Sequence, residues 1–167
     1  MDVAAPPGRP LVIGYGNRLR SDDGVGWTVA DALRDDPRAA AVDVIATTQL
    51  NPEHAADLAA ARLAVFVDAS VAGDPPPAPG AYVLSRLPPP GLPSADGAPP
   101  PAWSHHCTPA GLQALAAALY GAAPPVVLVG VGVADCAVGE ELGPTVAAAV
   151  PNLVDVVLKL ALEATHA

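Results

Sequence analysis

Residues 11–26 read LVIGYGNRLRSDDGVG, and this stretch decides the fold of the chain. A short apolar run ends in a glycine-rich turn, the turn leads to the adjacent carboxylates Asp22 and Asp23, and a helical pattern follows at once. A strand, a glycine loop and a helix in this order form a site at the carboxyl end of the first strand of an open parallel sheet. Because the two carboxylates would repel a phosphate, the loop suits a metal ion, a proton or a water molecule instead.

Strands alternate with helices along the rest of the chain. The predicted strands cover residues 11–14, 42–46, 63–69, 81–84 and 126–133. The predicted helices cover residues 24–33, 51–61, 109–120 and a last region from 140 that Pro151 breaks or kinks, leaving 152–163 as the closing helix. This alternation predicts an α/β fold with three layers, in which helices cover both faces of a mostly parallel, twisted sheet.

Capping residues mark the starts of three predicted helices. Asp22 or Asp23 stands where the first helix would be capped. Asn51 and Thr108 stand before the second and third helices, and each is followed by a proline, which favours the first helical position.

Length and composition predict one domain over residues 1–167. Residues 1–9 are predicted to form a mobile tail, and residues 85–103 a long proline-rich loop. The net charge of −9 argues against nucleic acid and against anionic membranes as partners. The N-terminus has no signal-peptide pattern, and no run approaches the roughly 18 apolar residues of a membrane span. Cys107 and Cys136 lack CxxC spacing, so we expect a cytoplasmic protein with two free thiols.

Several common sites are excluded by their motifs. Gly14-x-Gly16 lacks the third glycine of a dinucleotide site, where Leu19 stands, and the second strand ends at Ala46 without an acidic residue. The sequence contains no P-loop, no HExxH helix and no GxSxG elbow. A nucleotide-binding domain is therefore supported by Gly14-x-Gly16 alone.

The remaining candidates are polar residues at strand ends and before one helix. Asp22 and Asp23 follow the first strand, Asp68 ends a central strand, and His105 and His106 precede the third helix. Because the carboxyl ends of parallel strands share one edge, these groups can converge there. Two carboxylates and an imidazole provide oxygen and nitrogen ligands for a divalent metal, with positions left open for substrate or water.

Simpler interpretations stay open for each candidate. Asp22 or Asp23 could be a helix cap, and the two histidines could be surface residues. Asp68 needs a cap role, a partner or a metal, because an unpaired buried carboxylate is costly. Cys107 could be a nucleophile activated by imidazole or an inert buried thiol.

The order of these motifs resembles that of the hydrogenase maturation proteases, the endopeptidases that finish the large subunit of nickel-iron hydrogenases. The matching motifs are GxGNxLxxDDGxG at residues 14–26, QLxP at 49–52, VFVDA at 65–69 with PG at 79–80, SxH at 104–106 and GEELGPxV at 139–146. Gly143 stands where that family usually has serine. The resemblance spans residues 11–160 and implies the phosphorylase/hydrolase-like version of the three-layer fold.

The resemblance also implies a site and a reaction. Carried over by position, Asp23, Asp68 and His106 bind the metal and act as catalytic residues, with His105 as the alternative to His106. The protease removes a C-terminal peptide from the large-subunit precursor after nickel insertion and so activates the hydrogenase. It senses the nickel held by that precursor.

Two mechanisms and a second function stay open. The metal could act as a Lewis acid on the scissile carbonyl, or Asp23 or Asp68 could orient a water molecule as general base. Alternatively, the protein is a non-catalytic, metal-dependent maturation chaperone that binds the precursor tail.

Overall fold

The computed structural model describes residues 8–91 and 107–163 of the chain. Within these residues the strands are β1 (Pro10–Tyr15), β2 (Asp43–Thr47), β3 (Leu63–Ser70), β4 (Tyr82–Arg86) and β5 (Val126–Gly132). The helices are α1 (Val25–Arg34), α2 (His54–Ala60), α3 (Pro109–Tyr120) and α4 (Pro144–Glu163), with short 3-10 turns at Ser21–Gly24 and Pro37–Ala39.

The five strands form one sheet in the order β2-β1-β3-β5-β4. Strands β2, β1, β3 and β5 run parallel to one another, and β4 lies antiparallel to β5 at one edge. The strand β3 is central, and its apolar run is buried on both faces, as parallel strands covered by helices require. The predicted α/β fold with a mostly parallel sheet is therefore confirmed.

Alternate residues of the central strands enter two separate cores. On one face, Val12 and Val65 pack in a cluster with Val29 of α1 and Val157 of α4. On the other face, Ile13, Phe66, Leu58 of α2 and Leu112 of α3 form the second cluster. The sheet is thus the middle of three layers, and each face excludes water through branched aliphatic side chains.

The last helix differs from its prediction, because α4 continues through Pro151 without a break. Proline removes one backbone N–H from a helix and crowds the carbonyl four residues earlier. Here both Pro151 and Ala147 lie on the exposed face of α4, where water can satisfy the freed carbonyl. The buried face on the other side holds Val146, Leu153 and Leu158 against the core, which keeps the helix continuous.

By length and composition, α4 is also long and apolar enough to cross a membrane, with a mean hydropathy of 1.7. The helix passes on its length and mean hydropathy, although Asn152, Asp155 and Lys159 interrupt its apolar residues. The helix packs on α1 and the sheet in one of the two cores, where an apolar helix is required for folding.

The predicted helix caps have three different outcomes. The Thr108 hydroxyl accepts the backbone N–H of Gly111 at 3.0 Å, which confirms the cap of α3. The cap predicted at Asn51 is wrong, because α2 begins at His54, and the His54 ring nitrogen accepts the N–H of Asn51 at 3.0 Å. The helix α1 begins after Gly24 with no side-chain cap, so neither Asp22 nor Asp23 has the predicted capping role.

The proline-rich region begins later than predicted in the described part of the chain. Strand β4 extends to Arg86, two residues into the segment predicted as a loop. Most of that segment, as well as most of the predicted tail at residues 1–9, lies outside the described residues.

Candidate active site at the carboxyl edge of the sheet

The two neighbouring strands β1 and β3 end at the point where the strand order changes direction. From β1 the sheet extends to β2 on one side and to β3 and β5 on the other. At such a switch point the loops leave toward opposite faces and open a crevice outside the strand ends. Asp23 follows β1 and Asp68 lies in β3, so the topology places both carboxylates at this crevice.

Asp68 is half-buried near the carboxyl end of β3 and has two hydrogen-bond donors. The Tyr15 hydroxyl donates to its carboxylate, and so does the backbone N–H of Ala69. Burial raises the pKa of Asp68 to about 6, and the charge of Asp23 adds to this rise, while both hydrogen bonds act in the opposite direction. The two hydrogen bonds therefore do not replace all of the solvation that the ionised carboxylate loses on burial.

Asp23 is held in place by the loop that precedes it. Its Oδ2 atom accepts the backbone N–H of Asn17 at 2.8 Å, which closes the turn after β1. Gly16 allows this closure, because its φ of 147° lies in the region that favours glycine. A Cβ at Gly16 would also lie 2.0 Å from the carbonyl oxygen of Asp23. Gly16, the second glycine of the motif, therefore allows a tight turn, and the turn orients an acid.

A cavity of about 250 Å³ lies between these groups. Its walls are formed by Tyr15, Gly16, Asp23, Thr48, Gln49, Leu50, Asp68 and Cys107. The structure thus brings Asp23 and Asp68 to the same cavity. A larger hollow of about 640 Å³ lies beside the amino ends of β1 and β2, between the C-terminal ends of α1 and α2. We assign the chemistry to the smaller cavity, because α/β sheets bind ligands at the carboxyl ends of their strands.

His106 and the alternative His105 lie outside the described residues. Cys107, the residue that follows His106, lines the cavity. Among residues 8–91 and 107–163, no three His, Cys, Asp or Glu side chains are grouped closely enough to hold a metal ion. The complete ligand set of Asp23, Asp68 and His106 therefore stays a prediction, of which the structure describes two members.

Asp22 has a different role from its neighbour. Its side chain is fully buried and accepts three backbone N–H groups, from Gly143 at 2.7 Å, Ala134 at 2.9 Å and Asp135 at 3.1 Å. Burial by itself would raise the pKa of Asp22, but these three hydrogen bonds outweigh it, and the pKa lies below its ordinary value. Asp22 therefore fastens the segment 134–143 to the loop after β1.

Further backbone contacts support this attachment. The N–H of Ser21 donates to Gly139 at 2.8 Å, and the N–H of Gly139 donates to Leu19 at 2.9 Å. The late motif at residues 139–146 and the opening motif at 14–26 are thus in direct contact. Their joint occurrence in the sequence has a structural cause, since one motif anchors the other.

Sequence reasoning missed Tyr15 as a site residue. It occupies the variable position of Gly14-x-Gly16, which gave no reason to single it out. The available signal was the alternation of side chains along a strand, which places residues two apart on the same face. Ile13 and Tyr15 therefore share one face of β1. Phe66 and Asp68 lie on the same face of the sheet in β3. Only the register of β1 against β3, in which Gly14 is opposite Val67, shows that the two ends meet.

Comparison with solved structures gives a consistent result. The chain is similar to a hydrogenase 2 maturation peptidase from Thaumarchaeota archaeon SCGC_AB-539-E09, with a TM-score of 0.67, 29% identity, and coverage of 91% of this chain and 97% of that one. It is also similar to the hydrogenase maturating endopeptidase HybD from E. coli, with a TM-score of 0.67, 26% identity and 93% of each chain covered.

A third similar structure is an endopeptidase from Escherichia coli solved in solution, with a TM-score of 0.65, 25% identity, and coverage of 95% of this chain and 94% of that one. No protein-family model matches the chain, and no curated protein matches its sequence. The resemblance to hydrogenase maturation proteases, indicated by the order of the motifs, is confirmed by these structures.

Proposed function

We propose that this chain is an endopeptidase that removes the C-terminal extension of a nickel-iron hydrogenase large-subunit precursor. Its structure resembles those of the hydrogenase maturation proteases. One observation carries the proposal. Asp23, which follows β1, and Asp68, which lies near the carboxyl end of the neighbouring β3, line one cavity in a fold that the chain shares with hydrogenase maturation peptidases. These two half-buried carboxylates provide what peptide hydrolysis requires, a base for water and an acid for the leaving amine.

The nickel in this proposal belongs to the substrate, and Asp23, Asp68 and His106 sense it. Two carboxylates at one cavity repel each other, and the charge of Asp23 raises the pKa of Asp68. A divalent cation between them would offset this repulsion and stabilise both ionised forms. Carboxylate oxygen and imidazole nitrogen suit nickel, and an incomplete ligand set can share an ion that the precursor already holds.

The hydrolysis proceeds by attack of water on the scissile carbonyl carbon. Asp23 or Asp68 accepts a proton from that water, and the new C–O bond forms as the proton leaves. The proton then passes to the nitrogen of the leaving peptide, and the C–N bond breaks. Nickel bound to the precursor could polarise the same carbonyl, which would lower the barrier to attack.

The size of the cavity favours a protein substrate. A volume of about 250 Å³ is below the range of about 300–1,000 Å³ typical of pockets that enclose a small ligand. An extended peptide can instead lie across the opening and present one bond to the carboxylates. Leu19 and Val138, with exposed fractions of 59% and 93%, stand on the two loops that Asp22 fastens together, where a folded precursor can contact them.

We place this reaction in the cytoplasm. Cys107 and Cys136 are both free thiols, as expected from their spacing, which suits a reducing compartment. The apolar helix α4 is part of the core.

The test uses the purified protein and a cognate large-subunit precursor, loaded with nickel or nickel-free. Mass spectrometry is expected to show loss of the C-terminal peptide from the loaded precursor alone. Equal cleavage of both precursors would contradict nickel sensing. Binding of the loaded precursor without any peptide release would instead support the chaperone function.

A further inference from the structure

Tyr15 lies at the junction between the second core and the cavity. It is the last residue of β1, and its backbone pairs with Thr47 of β2. Its ring meets that of Phe66 edge-on, with centroids 6.4 Å apart and planes at 83°. Phe66 is fully buried in β3, so this contact ties the tyrosine ring to a rigid part of the sheet.

The hydroxyl of Tyr15 reaches the site itself. It donates a hydrogen bond to the Asp68 carboxylate, and the side chain forms part of the cavity wall that also contains Asp23. Burial, together with the charge of Asp68, raises the pKa of Tyr15 above its ordinary value. The hydroxyl therefore keeps its proton and stays a donor at physiological pH.

An aspartate carboxylate rotates easily about its last torsion angle, because that torsion has broad minima. A single backbone donor, the N–H of Ala69, does not by itself restrict this rotation fully. A second donor on a fixed ring occupies one more acceptor position of the carboxylate. The remaining acceptor positions of the carboxylate are then left for a ligand in the cavity that Asp68 lines.

We propose that Tyr15 is a positioning residue, whose hydroxyl orients the Asp68 carboxylate for the substrate-held nickel and the scissile bond. This inference rests on the proposed function, because Tyr15 acts through Asp68. Hydrogen bonds to metal-binding or catalytic carboxylates from such supporting residues usually contribute about 10- to 100-fold in affinity or activity.

The decisive variant is Tyr15→Phe, which keeps the ring and its edge contact with Phe66 and removes the hydroxyl alone. Tyr120→Phe is the matched control, because it makes the same change at an exposed residue at the end of α3. On the nickel-loaded precursor we expect kcat to fall about 10- to 100-fold and KM to rise in Tyr15→Phe, since positioning acts on the transition state and on the contact with the substrate-held nickel. Tyr120→Phe is expected to match the wild type in both constants.

Thermal unfolding and nickel titration complete the test. A role in positioning predicts a lower kcat at an unchanged Tm, and a Ni²⁺ affinity of the free protein about tenfold weaker by calorimetry. A wild-type kcat in Tyr15→Phe would overturn the inference, as would a loss of activity that follows a loss of folded protein. If the wild type cleaves and only the Tyr15 result fails, the proposed function stands. A wild type that neither cleaves nor binds Ni²⁺ overturns both.

Discussion

Two carboxylates at the same edge of the sheet, Asp22 and Asp68, have environments that shift their pKa values in opposite directions. Asp22 is fully buried and accepts three backbone N–H groups, and its pKa lies below the ordinary value. Asp68 is half-buried beside another carboxylate, and its pKa is raised to about 6. The difference shows that burial alone does not decide the charge state, because donors aimed at a carboxylate can outweigh its desolvation. One acid is bound to the scaffold, and the other is left available to a ligand.

The largest expected effect is that of Asp68→Asn on processing. The amide cannot accept a proton or offer two anionic oxygens, so cleavage of the loaded precursor is expected to fall by about 10²- to 10⁴-fold. The folded fraction at pH 7 is expected to stay unchanged, since the charge that is removed is poorly stabilised. Asp155→Asn, at an exposed ion pair with Arg38, is the control. Wild-type cleavage by Asp68→Asn would remove Asp68 from the site.

The pair Asp22→Asn and Asp23→Asn separates the two neighbours. Asp22→Asn weakens three backbone hydrogen bonds and is expected to lower the free energy of unfolding by about 1–3 kcal/mol. Asp23→Asn is expected to lose processing with a much smaller change in stability. Urea denaturation and peptide release are measured on both variants. A loss of stability in Asp23→Asn together with a loss of processing at wild-type stability in Asp22→Asn would contradict the assignment.

Both acids are expected to contribute to the dependence of the free energy of unfolding on pH. The folded-state pKa of Asp22 is below the unfolded value of 3.8, so its contribution is present above pH 3.8 and is lost as the pH falls through the lower folded pKa. The contribution of Asp68 changes with pH in the opposite direction. Its folded pKa is about 6, so its protonated form favours folding, and stability declines as the pH rises from 3.8 to about 6.

Denaturation curves from pH 3 to pH 7 measure this prediction. Asp68→Asn is expected to flatten the decline between pH 3.8 and about 6. Asp22→Asn is expected to reduce the loss of stability on the acid side. An unchanged profile in Asp68→Asn would show that this carboxylate is not destabilised in the folded protein.

The smallest expected effect is that of Cys107→Ala. The thiol lines the cavity, but the proposed reaction uses water as the nucleophile and forms no covalent intermediate with the enzyme. Peptide release is therefore expected to continue at the wild-type rate. A loss comparable to that of Asp68→Asn would favour the alternative interpretation of Cys107 as an activated nucleophile.

Much of the fold follows from local patterns. The buried run at residues 63–69 predicts a central strand, and β3 is central. The cap at Thr108 is correct because its hydrogen bond to Gly111 spans three residues. The cap at Asn51 and the break at Pro151 fail for a shared reason. Local preferences of about 1–3 kcal/mol are overridden where packing, exposure or a competing contact such as that of His54 decides the conformation.

The sequence by itself determined the alternation of strands and helices and the presence of acids at the strand ends, because both depend on short-range patterns. The resemblance had already assigned the site to Asp23, and the tertiary structure alone decided that its neighbour Asp22 is an anchor for a distant segment and not a helix cap. Asp22 is bound by residues 112 to 121 positions away in the chain, and Asp68 receives its bond from Tyr15 across the sheet. Contacts at such separation depend on the register and closure of the whole sheet, which no local pattern specifies.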